Sequence, residues 1–249
     1  MILCIDCGNT SIKFGLYDGE KLAKKFKIKT IKDKTSDEYL NSLKLFFDGK
    51  ENVEGAIISS VVPILTTILE HCLEKLFGIK PLILNKNLKT KIAIKTDNPL
   101  EFGSDMLAGA VAAKKKYGYP LVVADLGTAT KLYVIDKTGS IIGCAIGCGM
   151  EVELQSLANK ASQLMEVPLE TPQKIIGKNT RTSIQSGVIF GQAFMVSEFA
   201  RRMEKELGYE LTRVLTGGFS PYIKEQIVCF NYEENLTLDG LLEIYNINR

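Results

Sequence analysis

Apolar and polar residues alternate in two rhythms along this chain, and the switches between them lay out one plan twice. Ile2-Leu3-Cys4-Ile5 is an unbroken apolar run, as expected of a strand buried on both faces. Asp6-Cys7-Gly8-Asn9-Thr10 interrupts it with turn formers, and Ser11 to Tyr17 resumes as a second strand. Lys21 to Thr30 alternates basic and apolar residues and reads as a third, antiparallel strand with one wet face. Ser36 to Phe47 predicts a helix with Ser36 or Asp37 near its cap. Gly55 to Val62 predicts a buried strand ending in Ser59-Ser60, and Pro63 opens a helix pattern that runs to Phe77. Short strands are expected at Pro81 to Leu84 and Lys89 to Thr96, then an alanine-rich helix from Met106 to Tyr117.

The plan then starts again. Val122 to Thr130 repeats the order apolar run, Asp, any residue, Gly, small polar, and Leu132 to Ile135 supplies the returning strand. A glycine-rich stretch, Gly139 to Gly149, leads into helix patterns at Met150 to Met165 and Thr180 to Leu207. Arg213 to Leu215 predicts a strand ending in Thr216-Gly217-Gly218 with a helix start beyond it, and Asp239 to Tyr245 a last short helix. A duplication at nearly half the chain length predicts two α/β halves, 1–117 and 118–249, facing each other across a cleft.

The turns carry the chemistry. At the first, Gly8 lets backbone N–H groups approach a bulky anion. Asn9, Thr10 and Lys13 can donate to phosphate oxygens, and Asp6 can hold a hydrated divalent cation. A hairpin with ordinary polar turn chemistry explains that stretch alone equally well. Two Asp-x-Gly turns aimed at one cleft suit a nucleoside triphosphate with its metal. The paired glycines Gly217-Gly218 let a flat base lie against the backbone. Ser104 and Asp105, just before the alanine-rich helix, read either as its cap or as a carboxylate that positions a hydroxyl.

Composition narrows the classes further. The 249 residues carry a net charge of +2, which gives no strong field for nucleic acid or a membrane surface. No apolar stretch approaches the ~20 residues needed to span a bilayer, and Met1-Ile2-Leu3 lacks the basic start of a secretory signal, so a cytoplasmic location is expected. Cys4 and Cys7 have C-x-x-C spacing but fall on opposite faces of a strand, so the six cysteines read as reduced, buried thiols. The one histidine, His71, sits in a helix pattern, which argues against a Ser-His hydrolase.

Taken in order, the motifs resemble those of the type III pantothenate kinases. They are Asp6-x-Gly8-Asn9-Thr10-x-x-Lys13, Ser59-Ser60-Val61-Val62-Pro63, Pro99-x-x-x-Gly103-x-Asp105, Asp125-x-Gly127-Thr128-Ala129, Ile176-Gly177-x-Asn179-Thr180, Ser186-Gly187 and Thr216-Gly217-Gly218. The resemblance implies duplicated ribonuclease-H-like halves of the acetate-kinase/Hsp70/actin-like fold. It also implies ATP-dependent phosphorylation of the primary hydroxyl of pantothenate, the first step towards coenzyme A. On this reading Asp6, Gly8, Asn9, Thr10, Lys13, Thr128, Gly217 and Gly218 bind ATP, with Mg²⁺ held through the phosphates at Asp6. Asp105 accepts the hydroxyl proton, and Gly103, Ser104, Asp105, Met106 and Thr180 line the acceptor site. Asp125 holds a monovalent cation, K⁺ or NH₄⁺, and Thr180 reaches pantothenate from the partner of a homodimer.

The chain departs from the family around the acceptor. Thr96 stands where the family usually has Tyr, and Met106 where it has Arg, the residue suited to fork onto the pantothenate carboxylate. Lys131 and Tyr133 replace a Thr-x-Asp pattern, and Lys131 and Lys95 are the candidates to restore the lost positive charge. A kinase of the same fold for another small hydroxy acid, or a non-catalytic nucleotide sensor, are the alternatives.

Overall fold

The computed structural model describes residues 1–47, 51–85, 87–160 and 167–249. They form two compact units: residues 1–92 with 97–112 and 236–249, and residues 93–96 with 113–235. In the first, strands β1 (Ile2–Cys7), β2 (Ser11–Asp18), β3 (Lys21–Lys29), β4 (Gly55–Ser60) and β5 (Leu82–Ile83) order as β3-β2-β1-β4-β5. In the second, β6 (Leu121–Leu126), β7 (Ala129–Ile135), β8 (Ile141–Cys148), β9 (Thr212–Thr216) and β10 (Asn231–Tyr232) order as β8-β7-β6-β9-β10. Each sheet is an antiparallel meander of three whose first strand also pairs in parallel with the fourth. The duplication expected from the repeated turn is therefore a duplication of topology.

Burial on both faces accounts for the unbroken apolar run in β1. Leu3, Ile5 and Ile58 face α1 (Ser36–Lys44) and α2 (Pro63–Phe77), packing with Tyr39, Leu43, Leu65 and Leu69. Cys4, Tyr17 and Ile57 face the other way, onto Ala108 of α3 (Ser104–Tyr117) and onto Leu241 and Ile244 of α6 (Leu236–Asn248). Cys7 lies in the first of these clusters and Cys4 in the second, so the C-x-x-C pair does face apart. Burial pushes both thiols up, which keeps them protonated. In the second unit, Val122 and Ala124 pack under Val188, Ile189 and Ala193 of α5 (Thr180–Leu207).

Several expectations need correction. The last helix belongs with the first unit, not with 118–249, because α6 packs against β1 and β4. Tyr17 donates to Asp239 Oδ1 at 2.6 Å, and a Cβ at Gly240 would collide with the Ala108 backbone, so α6 and α3 touch main chain to main chain. Residues 89–96 are not a strand. Only Ile94 bridges, to Ile141, because an alternating pattern forms no ladder without a partner edge. Thr35, not Ser36 or Asp37, caps α1, in a reciprocal box with Glu38. Only a three-residue 3₁₀ turn, Ser220–Tyr222, follows Gly217-Gly218. The helix expected to reach Met165 is α4 (Met150–Lys160), and its end lies outside the described residues. Three of the six free cysteines, Cys144, Cys148 and Cys229, are exposed.

Candidate active site

The first turn sits at the end of β1. Register sets Asp6 opposite Lys13 of β2 on one side and beside Ser59 of β4 on the other. Lys13 Nζ lies 3.4 Å from Asp6 Oδ2, with the lysine side chain 39% exposed and the aspartate 9%. The loop between the strands, Gly8 to Thr10, is braced from β3's end by Thr30. Its amide donates to Thr10 O at 3.0 Å and its hydroxyl to Gly8 O at 2.7 Å. Thr30 is a structural brace of the loop that pattern reasoning missed, since it reads only as the tail of a wet strand.

Ser59 ties this turn to the start of α3. Fully buried, it shares a 2.8 Å hydrogen bond with Ser104, the first residue of that helix. Asp105 follows in the helix's first turn, where the helix dipole favours a carboxylate. Its side chain folds back over Gly103: a Cβ there would stand 2.6 Å from Asp105 Oδ1. A side chain at residue 103 would therefore displace the Asp105 carboxylate from this position. Met106 is buried, and its methyl lies beneath Gly103, so it forms the floor here rather than a polar contact.

The second turn repeats the first with a tighter loop. Only Gly127 and Thr128 separate β6 from β7, which puts Asp125 opposite Lys131, with Thr216 of β9 on its other side. Lys131 Nζ lies 2.8 Å from Asp125 Oδ2, and here both side chains are nearly buried, 15% and 12% exposed. The ammonium therefore sits on the residue for which the resemblance implies a monovalent cation. Gly217 has φ +100°, and a Cβ on it would stand 2.6 Å from Asp125 Oδ1 and strike the Leu126 backbone. Gly218 has open space where its Cβ would go, so nothing in the fold requires its bareness. Behind the turn, Thr130 donates to Gln192 Oε1 at 2.8 Å, and Gln192 donates to Cys148 O at 2.8 Å and Glu153 at 2.6 Å. Gln192 also went unnoticed in the sequence, because a glutamine in a long helix pattern carries no signal.

The remaining candidates lie elsewhere. Thr180 is exposed at the first position of α5, after the Asn179 cap, and the Ile176-Gly177 turn packs onto Ser183. Lys95 is engaged with Thr138 Oγ1 at 3.0 Å, at the end of the β7–β8 hairpin opposite Asp125. Among the described residues no three His, Cys, Asp or Glu side chains gather as a metal cage, and no helix is long and apolar enough to cross a membrane.

Comparison with known proteins agrees with this arrangement. A protein from Campylobacter jejuni described as a Baf family transcriptional activator superposes with a TM-score of 0.61 at 17% identity, covering 98% of this chain and 97% of that one. Lmo2764 of Listeria monocytogenes, described as an N-acetylmannosamine kinase, gives 0.51 at 12% identity, with 98% of each chain covered. Such likenesses speak for the fold alone, the duplicated ribonuclease-H-like, actin-like one. The type III pantothenate kinase of Roseiflexus castenholzii is 41% identical over 100% of both chains. The family model described as type III pantothenate kinase matches residues 2–202, from the start of β1 through most of α5, and the chain belongs to that family.

Proposed function

We propose that this chain transfers the γ-phosphoryl group of ATP to the primary hydroxyl of pantothenate, with Asp105 receiving the hydroxyl proton. The activity is that of the family; the residue roles are our reading. One observation carries it: the Ser59–Ser104 hydrogen bond fixes the Asp6 turn beside the helix start that bears Asp105. Phosphoryl transfer needs positioning and charge neutralisation more than a strong base, so a single carboxylate and a set of donors suffice. Gly8, Asn9, Thr10 and Lys13 bind the phosphates. Thr128, Gly217 and Gly218 receive the rest of the nucleotide, and the open space at Gly218 supports that role.

The fold family implies two cations, and the residues treat them differently. Asp6, a lone carboxylate at the first turn, fits Mg²⁺ bound mainly through the phosphates, where that ion neutralises charge on the transferred group. A monovalent cation at Asp125 does not fit. The Lys131 ammonium is already there, and two unit positive charges about 4 Å apart repel by roughly 4 kcal/mol at an effective dielectric of about 20.

Gly103, Ser104, Met106 and Thr180 complete the acceptor side in this reading, with Thr180 contributed across a homodimer. Exposed Phe194 and Phe199 on α5 supply apolar surface for such an assembly. Six free cysteines suit the reducing cytoplasm. The buried Met106 offers no charged fork for a carboxylate, which favours a second reading: a kinase of the same fold for another small hydroxy acid. ATP turnover with pantothenate against a panel of small hydroxy acids separates the two. Turnover with pantothenate supports the first; turnover with another alcohol alone replaces it with the second.

A further inference from the structure

The Asp125 carboxylate is held between an ammonium on one oxygen and a glycine packed against the other. Oδ2 meets Lys131 Nζ at 2.8 Å, and Oδ1 lies against Gly217, close enough that a Cβ there would stand 2.6 Å away. The contact with Lys131 is dictated by the chain. A two-residue turn sets the register, the register makes Asp125 and Lys131 direct cross-strand neighbours, and such neighbours share one face of the sheet. Lys131 is also the counterpart of Lys13, which faces Asp6 in the first repeat. The difference is the depth of the lysine, 15% exposed in the second pair against 39% in the first, since both carboxylates are buried alike.

A lysine head is a compact, strongly hydrated monocation, the same chemical group as an ammonium ion but tethered. We propose that Lys131 is a built-in monovalent cation: its ammonium holds the Asp125 turn in its nucleotide-binding shape, so this kinase turns over without added K⁺ or NH₄⁺. Tethering makes the site intramolecular, so its occupancy does not depend on the salt outside. Lys131 is then a positioning residue that acts through Asp125. The inference rests on the kinase reading above, and it changes what that reading requires of the solvent.

The test uses the full chain in buffers whose only added monocation is tetramethylammonium, with and without K⁺ or NH₄⁺. Wild-type turnover of ATP with pantothenate is expected to change less than about twofold on adding either ion, and its melting temperature not to respond to them specifically. Lys131→Thr, which restores the residue usual in the family, is expected to lose about tenfold or more in turnover without K⁺ and to recover with K⁺ or NH₄⁺. In that variant K⁺ is also expected to raise the melting temperature and tighten ATP binding by calorimetry, which a merely structural lysine would not produce. Lys131→Arg is expected to stay indifferent to K⁺. A wild-type enzyme that is silent until K⁺ is added overturns the proposal, whether or not the variants fold. So does a folded Lys131→Thr whose turnover and ATP affinity ignore K⁺. Absence of ATP binding by the wild type in every buffer overturns the kinase reading itself.

Discussion

The two Asp-x-Gly turns share a register and differ in depth. In the first, three loop residues follow Cys7, and the lysine facing Asp6 is 39% exposed at 3.4 Å. In the second, two loop residues follow Leu126, and the lysine facing Asp125 is 15% exposed at 2.8 Å. A cation in water can leave its carboxylate for an incoming phosphate at little cost, because an exposed ion pair contributes only ~0–1 kcal/mol. A nearly buried one cannot, since its removal strands a charge in a poorly solvated place. On the proposed reading, the same two residue types serve as a movable phosphate ligand in one half and a fixed counter-ion in the other.

The comparison can be broken in stages. The largest effect is expected at the residue only one half possesses: Asp105→Asn should lower kcat about 10²–10⁴-fold while ATP affinity, measured by calorimetry, stays near wild type. Equal loss of both would remove Asp105 from the proton-accepting role. Next come the adjacent glycines of the second half. Gly217→Ala should cost on the order of 2–4 kcal/mol in denaturant melts, because its φ of +100° and the Leu126 backbone both exclude a Cβ. Gly218→Ala should change stability by less than about 0.5 kcal/mol and raise the KM for ATP instead.

The lysines sharpen the contrast directly. Lys131→Ala should destabilise the fold by about 2 kcal/mol, whereas Lys13→Ala should cost less than ~1 kcal/mol yet weaken ATP binding more. Equal stability costs would mean that depth does not separate the two pairs. A smaller, pH-dependent effect is expected away from both turns. Arg213 holds the Glu204 carboxyl below its usual range through a bidentate bond at 2.6 and 3.0 Å. The pair therefore stabilises the fold above the ordinary carboxylate range, and that contribution is lost as pH falls from there through the lowered value Glu204 has in the fold. The melting temperature of Glu204→Gln should lie below wild type at neutral pH and converge with it in acid.

How much of this was legible in the chain depends on how local each feature is. Both hairpins were readable because a switch from apolar run to turn formers is written in consecutive residues. So was the 28-residue α5, whose Asn179 and Gly208 caps punctuate it at both ends. Residues 89–96 misled because alternation describes a strand's faces, not whether another strand lies alongside. The placement of α6 was out of reach, since it depends on a contact between Gly240 and Ala108 that spans most of the chain. The Asp125–Lys131 pair sits between these cases. Counting the two-residue turn gives the register, but nothing in the sequence says that water is excluded there.

The division of the first unit has a consequence for how the protein is made. Its sheet is encoded before residue 84, yet the helix that covers one face of that sheet is encoded at 236–248. On a ribosome, the second unit is synthesised whole while the cluster around Cys4, Tyr17 and Ile57 still lacks Leu238, Leu241, Leu242 and Ile244. The half that starts first is therefore the half that closes last. A nascent chain stalled before residue 236 has α3 to lay on that face but leaves the share that α6 covers open to whatever chaperone is near.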